Sequence, residues 1–246
     1  MTKHYCFENG VIKMTQIELK KVIDIATEKA INTSAERRAK LGWLKKNSPE
    51  SYGRNLKAQK FLFFYESLAK AEEKGCDFSY IKGYNNGPVF SEVYGDNAYR
   101  KEAFDMCVEQ SFLSKPDAVD IDTAKFAKFM VEALSESELS DLTHEFNIWK
   151  CKEEEIVSRS HVSLSEADFD LDDKTLVLTL KKMYSKELIE KSKVISIGEK
   201  SFVFLADQAK KLNPDYIAAL ETLSKNEELI NPVFVEIDEE GVMVLD

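Results

Sequence analysis

Leu56-Lys57-Ala58-Gln59-Lys60-Phe61-Leu62-Phe63-Phe64-Tyr65 is the stretch on which the fold turns. Its second half is apolar at consecutive positions, and Leu68, Ala69 and Ala71 continue it. A helix that is apolar almost all round must be covered on several sides, so the segment from about Arg54 onward is predicted to be the central helix. Gly75 is the expected end, because glycine takes the left-handed conformation that closes a helix. Phe61, Phe63, Phe64 and Tyr65 are read as core, since burying each removes a large apolar area from water.

Upstream, Ser48-Pro49 stops a helix carrying Leu41 and Leu44, and Thr33-Ser34-Ala35-Glu36 is a capping-box signal for its start. Thr15-Gln16-Ile17-Glu18 is a second such signal, opening a helix with Ile17, Val22, Ile25 and Ala26. Asn9-Gly10, between Tyr5-Cys6-Phe7 and Val11-Ile12, predicts a hairpin over 5–14.

Downstream, Phe78 to Tyr84 alternates like a strand, and Tyr84-Asn85-Asn86-Gly87-Pro88 is a turn by chemistry. Helices are predicted over 90–94, 99–107, 123–134 and 138–156. Ser158 to Asp173 is a Ser- and Asp-rich connection. Its acids Asp168, Asp170, Asp172 and Asp173 lack the glycine and closing glutamate of a calcium loop and are read as solvated. A helix over 173–191 follows, then a hairpin around Gly198-Glu199-Lys200. Asn213-Pro214 starts another helix, and a last hairpin turns at Asp238-Glu239-Glu240-Gly241.

The fold class read from this is α+β, predominantly α-helical, with short β-hairpins at the N-terminus and in the C-terminal third. The expected partition is an N-terminal hairpin and helical extension over 1–53, a helical core over 54–157 and an α+β region over 158–246. Helix, hairpin and helix in the last part invite a winged-helix comparison, but the would-be wing carries only Lys200 in its turn, which is weak for phosphate contacts.

The 246 residues are 43% hydrophobic and 32% charged, with a formal net charge of −10. That balance is ordinary for a globular protein and repels a phosphate backbone at long range. The charge is segregated: Arg37, Arg38, Lys40, Lys45, Lys46, Arg54, Lys57 and Lys60 face only Glu36 and Glu50, whereas 136–155 and 166–173 are acidic. Such runs are solvated faces, or neutralise each other across the fold, or steer a partner.

The apolar runs are too short to cross a membrane, and the first residues lack the pattern of a secretory signal. A cytoplasmic location is expected. Cys6, Cys76, Cys107 and Cys151 form no Cys-x-x-Cys pair and are expected to be reduced, mostly buried thiols.

The usual signatures of chemistry are missing. His4, His144 and His161 have no carboxylate partners at metal-binding spacing, and no P-loop, dinucleotide loop or nucleophile elbow occurs. His144 and Cys151, seven residues apart on one expected helix, stand too far apart for a dyad. An enzyme site assembled from Tyr84, Asn85, His144 and Glu145 is a rival reading, as is a DNA-binding regulator using the basic segment. Tyr84, Phe90, Tyr94 and Trp149 flank turns or sit among polar neighbours, where aromatics can anchor an interface.

Three segments in fixed order carry a family resemblance. Ala58-Gln59-Lys60-Phe61-Leu62-Phe63-Phe64 is similar to a helix reading roughly Leu-Gln-Lys-Leu-Leu-Tyr-Phe, with Gln59, Lys60 and Leu62 coinciding. Gly87, Pro88, Val89 and Tyr94 match a Gly-Pro-Val signature with a following tyrosine. Leu142, Thr143 and His144 with Trp149 match a Leu-Thr-His turn followed by tryptophan. Together, over residues 54–155, they resemble the Panacea domain of the SocA-like antitoxins. The resemblance implies a Panacea-like helical core over 54–157 and a non-enzymatic protein without a cofactor or metal. It implies a phage-associated or bacterial toxin-antitoxin module, in which the chain neutralises a cognate toxin or delivers it to a protease. An accessory protein of a phage is the alternative. The residues expected to meet the partner are Tyr84, Asn85, Phe90, Tyr94, His144 and Trp149.

Overall fold

The computed structural model describes residues 7–8, 11–12 and 28–245. The fold is α+β and predominantly helical. Strands β1 (Phe7–Glu8) and β2 (Val11–Ile12) pair antiparallel, as the expected hairpin requires. Asn9-Gly10 and the helix expected from Thr15 lie outside the described residues.

Helix α1 (Ala35–Asn47) begins one residue later than a cap at Thr33 would place it, with Ser34 accepting from the Arg37 N–H. Thr33 is engaged elsewhere: its N–H and hydroxyl both donate to the buried carboxylate of Asp96. Pro49 then opens the short helix α2 (Pro49–Gly53), where its missing N–H costs nothing.

Helix α3 (Asn55–Ala71) is the central element, and Phe61, Leu62, Phe63 and Phe64 are all fully buried on it. It ends before Gly75. Glu73, with φ of 59°, takes the left-handed position expected of that glycine, and Lys74 N–H closes back on the Ala69 carbonyl.

Strands β3 (Ile81–Tyr84) and β4 (Gly87–Phe90) form a tight hairpin whose register pairs Tyr84 with Gly87. The helix after it, α4 (Ser91–Tyr99), and α5 (Lys101–Ser114) both run longer than their apolar spacing predicted, and α6 (Ile121–Ala133) packs on α3.

The single helix expected over 138–156 is three: α7 (Glu136–His144), α8 (Asn147–Lys150) and α9 (Glu153–Arg159). The break has two causes. Phe146 leaves the helical path to bury itself between Phe63, Phe64 and Phe169. The Asp173 carboxylate then accepts from the N–H groups of Asn147 and Ile148, satisfying donors freed at the new helix start. Asp173 is therefore a buried structural acid, correcting its reading as solvated, while Asp170 caps helix α10 (Leu171–Met183). Ahead of α10, β5 (His161–Ser163) adds to β3, giving the order β4-β3-β5.

Helix α11 (Lys186–Lys191) is separated from α10 by a new cap at Ser185. Strands β6 (Ser192–Ile197) and β7 (Lys200–Leu205) pair around Gly198, and helix α12 (Pro214–Leu223) starts at the Asn213 cap. Strand β8 (Val233–Ile237) joins β7 in parallel and β9 (Met243–Leu245) in antiparallel, so the two expected hairpins merge into one sheet.

The packing groups the chain differently from the partition at 53 and 157. One hydrophobic core takes in Ile31, Leu41 and Trp43 from before the central helix and Phe169, Val177 and Leu180 from after it. The second core is built from Phe202, Phe204, Leu220, Val233, Val235 and Ile237, and Phe129, Ala133 and Val203 join the two. No helix among the described residues is long and apolar enough to cross a membrane.

The basic segment is largely interior. Arg37, Arg38, Lys40, Lys57 and Lys60 are all buried. Arg37 pairs with Asp77 and Glu92, Lys40 with Glu66, and Lys45 with Glu109. Among the described residues, none of the ion pairs of this segment is to the acidic runs 136–155 and 166–173, and Glu145 and Glu155 pair locally. Among the described cysteines, Cys107 is buried but Cys151 is exposed and Cys76 half-exposed, against the expectation of mostly buried thiols; Cys6 lies outside the described residues.

Candidate functional site at the hairpin tip

The three motif segments meet in space. Gln59 and Lys60 are neighbours on α3, Gly87 and Pro88 open β4, and Thr143 and His144 end α7. Gln59 brackets the backbone of Phe90, accepting from its N–H at 2.8 Å and donating to its carbonyl at 3.4 Å. One residue on, the Lys60 amine donates to the Asn86 carbonyl at 2.5 Å and to Thr143 Oγ1 at 2.8 Å. The Thr143 hydroxyl in turn donates to the Ser140 carbonyl at 3.0 Å. Trp149 Nε1–H donates to the Tyr84 carbonyl at 3.0 Å.

These bonds tie the hairpin to α3 and α8, and α3 to α7. Lys60 satisfies the carbonyl of Asn86 in the turn, which gives a polar residue inside an apolar helix its partner. Gly87 is required for two reasons. Its φ is +94°, and a β-carbon there would fall well inside van der Waals contact of Lys60 Nζ and Thr143 Oγ1.

Lys60 is 1% exposed. Burial pulls its pKa down from 10.5 to about 7, because the charged form loses its hydration. A neutral amine has two N–H bonds, and both would be taken by Asn86 and Thr143. His144 stacks on Trp149 with ring centroids 3.9 Å apart. Burial, then the nearby Lys60 charge, hold its pKa below the ordinary histidine range. Its Nε2 is buried without a hydrogen-bond partner among the described residues.

Outside the clamp lies a cleft of about 320 Å³, lined in part by Asn55, Lys60, Tyr84, Asn86, Tyr94 and Ser160. Tyr84 stacks on His161, with centroids 5.3 Å apart and planes 15° apart, and tilts toward Tyr94 at 6.3 Å.

Of the residues expected to meet a partner, Tyr84, Asn85 and Tyr94 stand at this rim, and Tyr94 is 41% exposed. Phe90 and Trp149 do not. They are 0% and 3% exposed, because the Arg37 guanidinium covers the Phe90 ring and His144 covers Trp149. Both are packing residues, which corrects their reading as interface anchors. Leu62 is likewise core, while Val89 lines the cleft and Leu142 packs half-buried against the core. Of the residues named for an enzyme site, Tyr84 and Asn85 line the cleft, whereas Glu145 is exposed and pairs with Lys150 at 2.9 Å. Ser160 joins the site from far along the chain through a left-handed residue after α9, φ 66°, and nothing local in the sequence signals it. Among the described residues no cluster of His, Cys, Asp and Glu could hold a metal ion.

Comparison of the chain with protein-family models, with curated proteins and with solved structures finds no match.

Proposed function

We propose that this chain is a non-enzymatic binding protein of the antitoxin kind. It acts in the cytoplasm of a bacterium, encoded by the host or a phage, by covering the working face of a cognate toxin or presenting it to a protease. The observation that supports this reading is the convergence just described. The residues that resemble the Panacea signatures, separate in sequence, meet in one polar clamp whose effect is to hold a tyrosine-bearing hairpin rigid beside a cleft. A preformed surface binds without the entropy loss of ordering a loop. Aromatic residues at such a rim are suited to anchor a polypeptide.

The DNA-binding alternative is weaker on this structure. Five of the eight basic residues from Arg37 to Lys60 are buried, so they cannot line a phosphate track.

The test is co-expression with the product of the adjacent open reading frame. Rescue of growth together with co-purification is expected; a harmless neighbour that does not bind overturns the reading.

A further inference from the structure

The described residues lining the cleft at the hairpin tip include one cation and no acid. Among the described residues Lys60 is its only lining residue of the Lys, Arg, Asp and Glu classes, in a chain with 44 acidic residues against 34 basic ones. Asn55, Gln59, Asn85, Asn86 and Ser160 supply the other polar groups, all neutral.

The two hydrogen-bond partners of Lys60 are neutral as well, and no described carboxylate pairs with it. Lys40, buried on the neighbouring helix, differs in this respect, since Glu66 meets it at 2.5 Å. A buried cation without a counter-charge is unfavourable, and a hydrogen-bonded partner carboxylate offsets part of that cost. An ammonium has three N–H donors, so a third is left over when Lys60 is charged. The counter-charge that no described residue supplies can be brought by a ligand.

We propose that the cleft binds a carboxylate carried by a peptide segment, with Lys60 at the floor as its counter-charge. The amides of Asn85 and Asn86 on the wall suit a peptide backbone, which needs both donors and acceptors. Tyr84 and Tyr94 flank the entry with apolar faces. The inference rests on the reading of this face as a docking site for a polypeptide and names the group that enters it. An acidic side chain and a chain terminus present the same carboxylate, and the probes below separate them.

The experiment is an NMR titration of the full chain at pH 6.5, following the side-chain amides of Asn85 and Asn86. Three probes are used: acetyl-Gly-Gly-Glu-amide, acetyl-Gly-Gly-Gly as the free acid, and acetyl-Gly-Gly-Gln-amide. Saturable shifts with at least one of the two carboxylate probes are expected, and the one that binds identifies the source. The glutamine probe should bind at least about tenfold more weakly.

Lys60→Met removes the cation but also the clamp, so Asn86→Asp is the second variant. It leaves the backbone carbonyl that Lys60 holds in place and supplies a carboxylate from the cleft wall. Binding followed at Asn85 should weaken at least about tenfold, through competition and like-charge repulsion. No shift with either carboxylate probe, equal binding of the glutamine probe, or unchanged binding by Asn86→Asp overturns the proposal. Growth rescue by co-expression does not involve these probes, so failure here leaves the antitoxin reading standing, and loss of rescue leaves the carboxylate site standing.

Discussion

The Lys60 amine occupies the space beside Gly87 that any other residue would need for its β-carbon. A helix residue and a turn residue 27 positions apart in sequence are thereby made mutually dependent, and the hairpin cannot be rebuilt on one side alone.

Gly87→Ala is expected to destabilise the protein by about 2–4 kcal/mol, from positive φ and overpacking together. Gly87→Asn should do no better, although asparagine tolerates positive φ, because the obstacle is also steric. At Gly198, where φ is +61° and no neighbour lies within 4 Å, Gly→Asn should cost under about 1 kcal/mol. Urea unfolding of the three variants checks this.

Stability should rise with pH above neutrality. Below about pH 7 Lys60 is protonated in both folded and unfolded chains, and the full burial cost is present. Between about 7 and its ordinary value of 10.5 the unfolded chain binds the extra proton, so raising the pH favours the folded state. The gain is complete above 10.5. Urea midpoints from pH 6.5 to 9.5 should show this rise, and Lys60→Met should flatten it. An equal slope in the variant would assign the effect elsewhere.

Asp173→Ala should cost about 2–3 kcal/mol, since it leaves the buried N–H of Ile148 and the N–H of Asn147 without an acceptor. Asp173→Asn keeps one acceptor oxygen and should cost less. Thermal melting distinguishes the two.

Lys40→Met should cost about 3–5 kcal/mol by stranding the fully buried Glu66 charge. Adding Glu66→Gln removes that charge and keeps an acceptor for the Asp77 N–H. The double variant should therefore be more stable than Lys40→Met alone, and a double-mutant cycle reads the coupling.

Tyr94→Ala, at the exposed rim, should weaken capture of a co-expressed toxin by about tenfold or more while unfolding as the parent does. Phe90→Ala, fully buried beneath Arg37, should instead lower stability by about 3–5 kcal/mol. If both substitutions affect only stability, the rim is not the docking face.

What the sequence determined unaided is the local structure. Asn213-Pro214 sets a helix start because cap and first-turn chemistry act within three residues. Ser48-Pro49 ends α1, and the run from Phe61 to Phe64 announces a helix with no solvent face. Where signals compete at one end, neighbours chose between them: Thr33 loses the cap to Ser34 because Asp96 takes its hydroxyl.

What tertiary structure alone decided is which polar groups lie inside. Lys60 and Asp173 look like surface residues in sequence, as do the other charges near them. Their burial depends on acceptors and donors contributed by segments far along the chain: Asn86 and Thr143 for one, Asn147 and Ile148 for the other. The break at Phe146 has the same origin, because its ring packs against Phe63 and Phe169, which stand far from it in the chain. A burial cost is set by the partners that assemble around a group, and those partners become neighbours only when the chain has folded.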